Sequence, residues 1–452
     1  MEREITMNSV DRRDFLKHAV LASAVAGTAG FSINARGANE RVILGLMGLR
    51  GRGSFLAPLA ATRDDVELRY LADPDTNFFE ARASAIEKNT GKRPTCMQDF
   101  RGMLDDPELD GILMATPDHW HALGTVWACQ AGKDVYVEKP ASHNIWEGQQ
   151  MVKAARKFNR VVQMGTQNRS AEYCQKAYEH IHSKEFGEVH FVRVVNSKQH
   201  GNIGKKENKE VPPGVDYDMW LGPAPMRPFN ENHFHYAWHW LWAYSGGDII
   251  NDGIHQIDIA HWMIDQPLPR KVCSAGGKYF FDDDQEAPDT HTVNWEFDKL
   301  AMVFEQTLWA PYMKKTPMEV RDLDMLPNWR FSGTRIEVYG TEQFMILGRH
   351  GGGWEVFDKD GNSVKVEHGY FERSNTEHLG NFIDCIRSRE KPRADIEFGH
   401  RSTLLSHYGN IAYRTGRKLT IDPATEGFVN DDEANGYVKR EYREPWVVPE
   451  IA

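Results

Sequence analysis

Short apolar runs alternate with helix-length amphipathic stretches from about residue 41 to residue 165. The runs, read in chain order, are RVILGLMG, VELRYLAD, DGILMATP, KDVYVEKP and RVVQMG. Amphipathic stretches separate them, for example residues 77–88 and 121–131. Strands that alternate with helices are connected by crossovers and form parallel sheets. The pattern therefore predicts an α/β domain with a parallel sheet over residues 40–165.

The periodicity changes after residue 165. A helix predicted over 171–183 precedes runs with period-two alternation, which are GEVHFVRVVNS, RKVCSAGGKYFF, HTVNWEFD, LAMVFEQTLW and RIEVYG. Alternation of this kind indicates strands with one buried face, and the short turns between runs favour an antiparallel sheet. Two helices, near 375–387 and 399–415, close the domain. We predict a second domain over 166–418 and a polar tail over 419–452 that wraps over a surface.

The first 39 residues have the features of an export signal. Arg12 and Arg13 are followed by Phe15, Leu16 and a small-residue apolar run over residues 19–31. That run is short for a membrane span and has the length of a signal-peptide core. Paired arginines before it are typical of a Tat signal. We predict a Tat-exported, periplasmic protein; an uncleaved tether or a frayed tail are the alternatives.

Composition narrows the classes of function. The chain has 452 residues and a net charge of −11, which argues against nucleic acid or an anionic membrane as a partner. The five cysteines are scattered without a CxxC pair, so neither a disulfide scaffold nor a cysteine-ligated metal is expected. A Tat substrate is exported already folded, often with its cofactor inside, which agrees with the absence of a disulfide pattern.

The segment GLRGRG follows the first predicted strand and precedes a helix. Gly48, Gly51 and Gly53 permit a tight turn whose helix N-terminus favours a pyrophosphate, although Arg50 replaces the second glycine of the G-x-G-x-x-G fingerprint. Arg50 could instead pair directly with phosphate. Asp73 ends the second strand, 20 residues after Gly53, where a carboxylate can hold the ribose diol and disfavour a 2′-phosphate. We predict NAD rather than NADP; a glycine-rich turn and a capping aspartate are the alternatives.

Two later strands end in polar loops. Thr116 ends DGILMATP, and Glu138 and Lys139 end KDVYVEKP. Ligands bind at the carboxyl ends of parallel strands, so both loops are expected at the cofactor cleft. There Lys139 could hydrogen-bond a substrate hydroxyl and stabilise the alkoxide. His119 and His121, two histidines without a nearby carboxylate or cysteine set, do not predict a metal site.

The segment GGDIINDGIHQIDIAHW predicts a helix with one polar stripe. Asn251, His255, Asp258 and Trp262 recur at spacings of 4, 3 and 4, which places them on one face. An ordinary surface helix is the alternative, but such a face usually carries Lys and Glu. A ligand-binding or catalytic site therefore explains these residue types better than an ordinary surface helix does.

The upstream segment NENHFHYAWHWLWAYSGG is rich in histidine and tryptophan. A metal cluster built from its histidines and His255 is one interpretation, and a carbohydrate-binding wall built from its tryptophans fits better. We assign His239 and Trp240, together with Arg169, to substrate binding.

Together these motifs resemble the Gfo/Idh/MocA family of oxidoreductases over residues 41–418. The resemblance rests on the GxGxxG-like turn, the acidic end of the second strand, T-P-x-x-x-H, E-K-P and G-x-H-x-x-D. It implies a Rossmann domain and an α/β domain with an open, mostly antiparallel sheet. It also implies that Lys139 contacts substrate and cofactor and that His255 is the general base. Family members carry an acid where this chain has Asn251; Asp258 or the displaced Asp252 could compensate.

By this resemblance Gly48, Arg50, Gly51, Gly53, Asp73, Thr116, His121, Glu138 and Lys139 bind the cofactor. The leading hypothesis is an NAD-dependent oxidoreductase acting on a secondary hydroxyl of a sugar or cyclic polyol. A second hypothesis is redox-neutral glycoside cleavage through transient oxidation by NAD. A third is a non-catalytic sugar- or nucleotide-binding protein. The family also suggests dimers or tetramers joined through the sheet.

Overall fold

A computed structural model describes residues 41–452, so the predicted export signal lies outside the described residues. The strands are β1 Val42–Met47, β2 Val66–Ala72, β3 Thr95–Met97, β4 Gly111–Met114, β5 Asp134–Val137, β6 Val162–Met164, β7 Val189–Ser197, β8 Lys271–Gly277, β9 Thr290–Glu296, β10 Ala301–Thr307, β11 Thr334–Gly340, β12 Phe344–Gly348, β13 Trp354–Phe357, β14 Ser363–Glu367 and β15 Leu419–Thr420. The helices are α1 Arg52–Ala61, α2 Phe79–Thr90, α3 Arg101–Leu104, α4 His121–Gln130, α5 Ile145–Lys157, α6 Glu172–Ile181, α7 Tyr217–Leu221, α8 Ile254–Ile264, α9 Met318–Arg321, α10 Glu372–Ser388, α11 Ile396–Thr415 and α12 Asp432–Asn435.

The N-terminal sheet has the strand order β3-β2-β1-β4-β5-β6. Its strands pair in parallel throughout. All six residues of β1 are buried, as expected for a strand covered on both faces by helices. The strand order reverses between β1 and β4, which opens a crevice at their carboxyl ends. The Rossmann-type sheet expected from the sequence is therefore present. The pattern had not indicated the short edge strand β3.

The C-terminal sheet of the described chain has nine strands in the order β14-β13-β12-β11-β7-β10-β9-β8-β15. Only β7 and β10 pair in parallel among these strands, and the other neighbours are antiparallel. The sheet does not close, which confirms the predicted open, mostly antiparallel architecture. The pattern analysis missed β12 to β15, which are at most five residues long.

Helices cover one face of this sheet. In β9 and β10 buried residues alternate with partly exposed ones, and the buried set includes Trp295 and Phe304. These side chains pack with Ile257 of α8 and Tyr408 of α11 in one continuous core. Since each strand buries one face only, the period-two pattern was visible in the sequence.

Residues 198–245 leave the sheet and cover the carboxyl edge of the N-terminal domain. This covering segment has its own aromatic core, which includes Trp220, Phe234 and Tyr244. Its backbone is tied to the domain: Asp216 N donates to Pro74 O at 2.8 Å, and the Trp120 indole donates to Trp220 O at 3.0 Å. The segment therefore forms a wall opposite the crevice.

The tail after residue 418 first pairs β15 with β8 at the edge of the C-terminal sheet and then crosses to the N-terminal domain. Trp446, Val448 and Ile451 are buried in the core of that domain. The Arg440 guanidinium donates to the buried Glu147 carboxylate at 2.9 Å. The tail is thus anchored by apolar side chains that its polar composition had obscured.

Candidate active site

A cleft of about 280 Å³ lies between the carboxyl edge of the parallel sheet and the covering segment. The sheet side contributes residues from the ends of four strands, and the covering segment contributes an aromatic wall. The residues that line the cleft include Gly48, Arg50, Gly51, Asp73, Thr116, Asp118, Glu138, Lys139, Trp220, His235, Tyr236, Trp238, His239 and Asn251. The cleft occupies the position at which open α/β sheets bind their ligands.

The glycine turn after β1 requires glycine at two positions. Gly48 has φ 91°, and a Cβ there would lie 2.5 Å from Ala115 O. A Cβ on Gly53 would lie 1.8 Å from Gly48 O, so no side chain fits between the turn and α1. Gly51 precedes α1 with φ 47°, and Arg50 extends over the Phe78 ring. This close turn in front of a helix N-terminus fits a dinucleotide pyrophosphate.

Asp73 lies at the end of β2 and lines the cleft, as predicted for a ribose ligand. Its carboxylate accepts hydrogen bonds from Leu49 N at 2.7 Å and Asp75 N at 2.9 Å. Burial raises the pKa of Asp73 to about 6, and the two amide donors oppose that shift. The group is therefore largely ionised at neutral pH and can accept hydrogen bonds from a ribose diol.

We expect Asp73→Ser to narrow the preference for NAD over NADP by about tenfold, the effect of losing one charge-assisted hydrogen bond. Fluorescence titration with both dinucleotides measures the two dissociation constants. Asp64→Ser, an exposed change on the same domain, should leave both constants unaltered. Tighter binding of NADP by the unmodified protein would show that Asp73 does not face the ribose.

Lys139 contacts the second domain at the inner end of the cleft. Its Nζ donates to Asn251 O at 2.7 Å and approaches Asn251 Oδ1 at 3.2 Å. The neighbouring Glu138 accepts from Arg52 Nε at 2.8 Å, which fixes the E-K-P loop against α1. Thr116 lines the same cleft from the end of β4. The structure thus places Lys139 in contact with Asn251, which stands where members of the resembled family carry an acidic residue.

Asn251 and His255 lie on a helix that begins with a π-turn, Ile249–Gly253, and continues as α8. The His255 ring is buried, and its centroid lies 4.7 Å from that of His350. Burial first, then Arg349 and Lys139, hold the pKa of His255 well below its usual range. Its Nδ1 has no hydrogen-bond partner within residues 41–452. His255 is therefore neutral at pH 7, but, unlike Asn251, it does not line the cleft and lies behind that residue.

Asp258 does not share this environment, although it lies on the same helix. Its carboxylate accepts three bonds from the Arg169 guanidinium at 2.9 to 3.0 Å and one from Ser402 Oγ at 2.7 Å. Both charged side chains are buried. Asp258 cannot serve as the catalytic acid from this position, and Arg169 does not line the cleft. The assignments of Asp258 to catalysis and Arg169 to substrate are corrected to a structural ion pair.

Arg169→Met is expected to lower the free energy of unfolding by about 3 kcal/mol or more, because it leaves the Asp258 carboxylate buried without a cation. Chemical denaturation measures this change. Arg401→Met is the matched control, since Arg401 borders the same surface but pairs with the partly exposed Glu397. That exposed pair should contribute less than about 1 kcal/mol. Equal losses for both variants would contradict a structural role for the buried pair.

Two other assigned residues also lie behind the cleft surface. His121 is fully buried, and its ring nitrogens lie 2.7 Å from Pro140 O and 3.1 Å from Thr116 O. It therefore positions the strand-end loops instead of touching the cofactor. Trp240 is fully buried against Phe281 and Leu308 and is not a wall residue. His239 does line the cleft, and Trp238 and Trp220 supply the aromatic surface expected of Trp240.

Asp118 is a cleft residue that the sequence reasoning missed. Its carboxylate accepts a hydrogen bond from Ser245 Oγ at 2.5 Å. Burial raises the pKa of Asp118 to about 7, and Lys139 opposes that shift. The sequence feature that could have identified Asp118 as a cleft residue is its position directly after A-T-P, at the end of a predicted strand. Asp118 is thus a carboxyl group that titrates near neutral pH beside Lys139.

The described residues contain no group of three or more His, Cys, Asp or Glu that could hold a metal ion. Over the same range, no helix is long and apolar enough to cross a membrane.

The parallel sheet, the glycine turn and the strand-end carboxylate of Asp73 have the arrangement of a dinucleotide-binding Rossmann domain. A model described as "Oxidoreductase family, NAD-binding Rossmann fold" matches residues 41–166, and one described as "Oxidoreductase family, C-terminal alpha/beta domain" matches 197–279 and 338–448. The chain therefore belongs to the Gfo/Idh/MocA family, and NAD is its cofactor.

Curated relatives resemble parts of this chain. The uncharacterized oxidoreductase YrbE of Bacillus subtilis is 27% identical over 180 residues, 39% of this chain and 48% of that protein. A glycosyl hydrolase family 109 protein of Saccharopolyspora erythraea is 26% identical over 213 residues, 42% of this chain and 46% of that protein. The chain spans about half the length of these relatives.

A solved structure shows the same fold. The WlbA dehydrogenase of Bordetella pertussis, crystallised with NADH and UDP-GlcNAcA, has a TM-score of 0.61 at 18% identity. The similarity covers 85% of this chain and 99% of that one. Both domains of the described chain are therefore found together in a known dehydrogenase.

Proposed function

We propose that this protein oxidises a secondary hydroxyl of a sugar or cyclic polyol and that it retains its nicotinamide cofactor between turnovers. The observation that carries the proposal is the arrangement at the inner end of the cleft. There the Lys139 ammonium contacts Asn251, one turn before the neutral and buried His255. The other end of the cleft carries the glycine turn and Asp73. A dinucleotide bound along the cleft would leave its nicotinamide near Lys139.

Oxidation of an alcohol removes one proton and one hydride as the C–O single bond becomes a carbonyl. Bound NAD supplies the acceptor for the hydride. His255 takes the hydroxyl proton; burial and neighbouring cations keep its ring neutral at pH 7, although the same effects weaken it as a base. Lys139 donates to the same oxygen as negative charge develops on it. Asn251 cannot take a proton; it orients the lysine through its carbonyl and side-chain oxygens.

The covering segment supports the proposal that the cofactor is retained. The His235 ring lies 3.1 Å from the Asp75 carboxylate and packs edge-on against Phe78, close to the ribose-facing strand end. Trp238 and Trp220 complete this wall. These contacts would hold the wall over the adenosine end of a bound dinucleotide, so we expect its release to be slow.

A retained cofactor has to be restored after each oxidation. Redox-neutral glycoside cleavage meets this requirement, because the substrate is oxidised, eliminated or hydrolysed, and re-reduced in one cycle. The relatives named as glycosyl hydrolase family 109 proteins favour this second candidate. Oxidation with a second substrate as the final hydride acceptor remains our first proposal. Lys139 and His255 would serve the oxidation step in both candidates.

A sugar panel tests the two candidates. The purified protein is incubated with free sugars, polyols and aryl glycosides, while nicotinamide absorbance and products are followed together. Stoichiometric reduction of the bound nicotinamide supports net oxidation. Glycoside cleavage without net reduction supports the redox-neutral candidate. Neither outcome, in protein shown to bind NAD, would contradict both and favour a non-catalytic binding protein.

We also propose export through the Tat route, on the sequence of residues 1–39. Changing Arg12 and Arg13 to lysine should keep the protein in the cytosol, because the receptor requires the arginine pair and not charge alone. Cell fractionation with an antibody measures the distribution. Unchanged export of this variant would contradict the Tat assignment. A variant with Lys17 changed to arginine keeps the pair and serves as the control.

A further inference from the structure

The last part of the tail, residues 440–451, connects the two sides of the cleft, and we call it the strap. Its apolar end is fixed to the N-terminal domain, where Trp446, Val448 and Ile451 are buried in the core. The backbone there is also held, because Ile451 N donates to the buried Gln150 Oε1 at 2.7 Å. The strap therefore has a firm attachment on the side of the parallel sheet.

Arg443 joins the strap to the covering segment on the opposite side. Its guanidinium donates to Asp218 O and to Gly222 O, both at 3.0 Å, and pairs with the Asp218 carboxylate. Asp218 lies in α7, and Gly222 is the residue that follows this helix. Carbonyl groups at a helix C-terminus lack partners within the helix, so an arginine that donates to them holds the end of the helix in place.

Helix α7 carries part of the cleft wall. Met219 and Trp220 line the cleft and are buried. The turn after α7 lies directly against the sheet side, since a Cβ on Gly222 would lie 2.3 Å from the Trp120 ring. Trp120 lines the cleft as well. A displacement of α7 would therefore change the surface that faces a bound dinucleotide.

Trp446 of the strap contacts both sides of the cleft. Its ring packs edge-on against Trp120, with the ring centroids 5.3 Å apart. Its indole Nε1 donates to Asp218 Oδ2 at 3.1 Å. One side chain thus packs behind a cleft residue of the N-terminal domain and also holds the helix that carries the opposite wall.

Arg440 forms a second bridge between the two sides. Its Nη2 donates to His119 O, in the loop after β4, at 3.0 Å, and its Nη1 donates to Ala243 O of the covering segment at 3.5 Å. The guanidinium is held in place by the fully buried Glu147 carboxylate, which also accepts from Tyr442 OH at 3.0 Å. The strap therefore crosses between the two walls at two separate points.

We propose that Arg443 and Arg440 are positioning residues that hold the covering segment over the bound dinucleotide and so set the rate at which it dissociates. This inference rests on the proposed retention of the cofactor and names residues responsible for it. Movement of α7 away from Trp120 would break the hydrogen bonds from Arg443 and Trp446 to α7. Charge-assisted bonds to backbone carbonyls resist such opening more than neutral ones do.

Arg443→Met tests the inference, because it removes the contacts to α7 and leaves the apolar attachment of the strap intact. The protein is loaded with NADH, excess NAD is added to displace it, and nicotinamide fluorescence is followed by stopped flow. We expect NADH to dissociate about tenfold faster or more from the variant, the effect of losing one charge-assisted hydrogen bond. Arg443→Lys, which keeps the charge and a donor, should restore part of the slow dissociation.

Arg417→Met is the matched control. Arg417 pairs at the surface with Asp431 and Glu433 of the tail, at 2.9 Å and 2.8 Å. Its loss should leave NADH dissociation within about twofold of the unmodified protein. Arg440→Met is the less suitable first variant, because it would leave the Glu147 carboxylate buried without its cation and could unfold the protein.

Hydrogen exchange distinguishes a positioning role from a general loss of stability. In NADH-loaded Arg443→Met, amides of α7 should exchange faster than in the unmodified protein, whereas those of β1 should not change. Unaltered NADH dissociation in a folded Arg443→Met variant would overturn the inference. Equal acceleration of exchange in α7 and β1 would also overturn it, since the strap would then stabilise the whole domain.

The same measurements separate this inference from the proposed function. Slow dissociation from the unmodified protein that Arg443→Met does not change would overturn the role of the strap and leave cofactor retention standing. Rapid dissociation from both proteins would contradict both proposals. Faster dissociation from the variant, in a protein that neither oxidises nor cleaves any sugar of the panel, would support the strap and contradict the proposed chemistry.

Discussion

Lys139→Met is expected to lower kcat by about 10²-fold or more while NAD affinity changes little. The Nζ of Lys139 contacts Asn251 at the inner end of the cleft, where it can donate to a substrate oxygen. Methionine keeps the length of the side chain but cannot donate to a developing alkoxide. The glycine turn and Asp73, which face the other parts of the dinucleotide, are untouched. Steady-state kinetics and fluorescence titration with NAD measure the two quantities.

A surface lysine on the same domain is the matched control for this change. Lys153 is exposed on α5, and Lys153→Met should leave kcat within about twofold of the unmodified protein, the range expected for an exposed side chain. Near-normal turnover of Lys139→Met in a folded, NAD-binding protein would show that Lys139 is a structural contact between the two domains. Loss of NAD binding in parallel with kcat would place the lysine on the cofactor instead of the substrate.

His255→Ala is expected to produce a loss in kcat of about 10²-fold to 10⁴-fold, the range for removing a general base. The imidazole is buried, and burial, Arg349 and Lys139 lower the pKa of His255 so that the ring is neutral at pH 7. Alanine removes the acceptor, and no carboxylate on this helix replaces it, because Asp252 and Asp258 are both held in buried ion pairs. Single-turnover reduction of bound nicotinamide measures the chemical step directly.

The double variant Lys139→Met/His255→Ala separates a shared step from two independent effects. If both residues act on the same oxygen, as we propose, the combined loss should fall well short of the product of the single losses. His190→Ala, an exposed change on β7, should leave kcat unaltered. Full multiplicativity would indicate that one of the two residues acts outside the oxidation step. Partial rescue of His255→Ala by added imidazole would support its role as the base.

Local patterns of the sequence predicted most of the fold. The strands β1, β2, β4, β5 and β6 are apolar runs between helices, so their parallel arrangement could be predicted from spacing. The alternation in β9 and β10 likewise marked a sheet with one buried face. Strands β12 to β15 were not predicted because two to five residues are too few to establish a period, and the residues of β14 are mostly exposed.

The sequence also located the strand-end residues of the candidate site. Gly48, Asp73, Thr116 and Lys139 each lie within two residues of the end of a strand, and the carboxyl ends of parallel strands meet at one edge. No knowledge of side-chain partners was needed to group them. The residues of α8 were harder, because a helical stripe shows which side chains share a face but not what that face meets.

Tertiary structure decided the partners. Asp258 was assigned to catalysis from its spacing to His255, but its environment is set by Arg169, which is 89 residues away in the chain. Trp240 was assigned to a carbohydrate-binding wall, but Phe281 and Leu308, which are distant from it in the sequence, bury it. The three cations that contact Asp252, which are Lys198, Lys315 and Arg349, likewise come from separate segments of the chain.

The sequence by itself thus determined the two sheets, the cofactor turn and the strand-end lysine, because backbone periodicity and chain direction place them. Only the tertiary structure decided which polar side chains face the cleft and which are neutralised in the interior. The physical reason is that the ionisation and accessibility of a buried group depend on charges and surfaces within a few ångströms of it. Residues far apart in the chain supply those neighbours, and local patterns do not identify them.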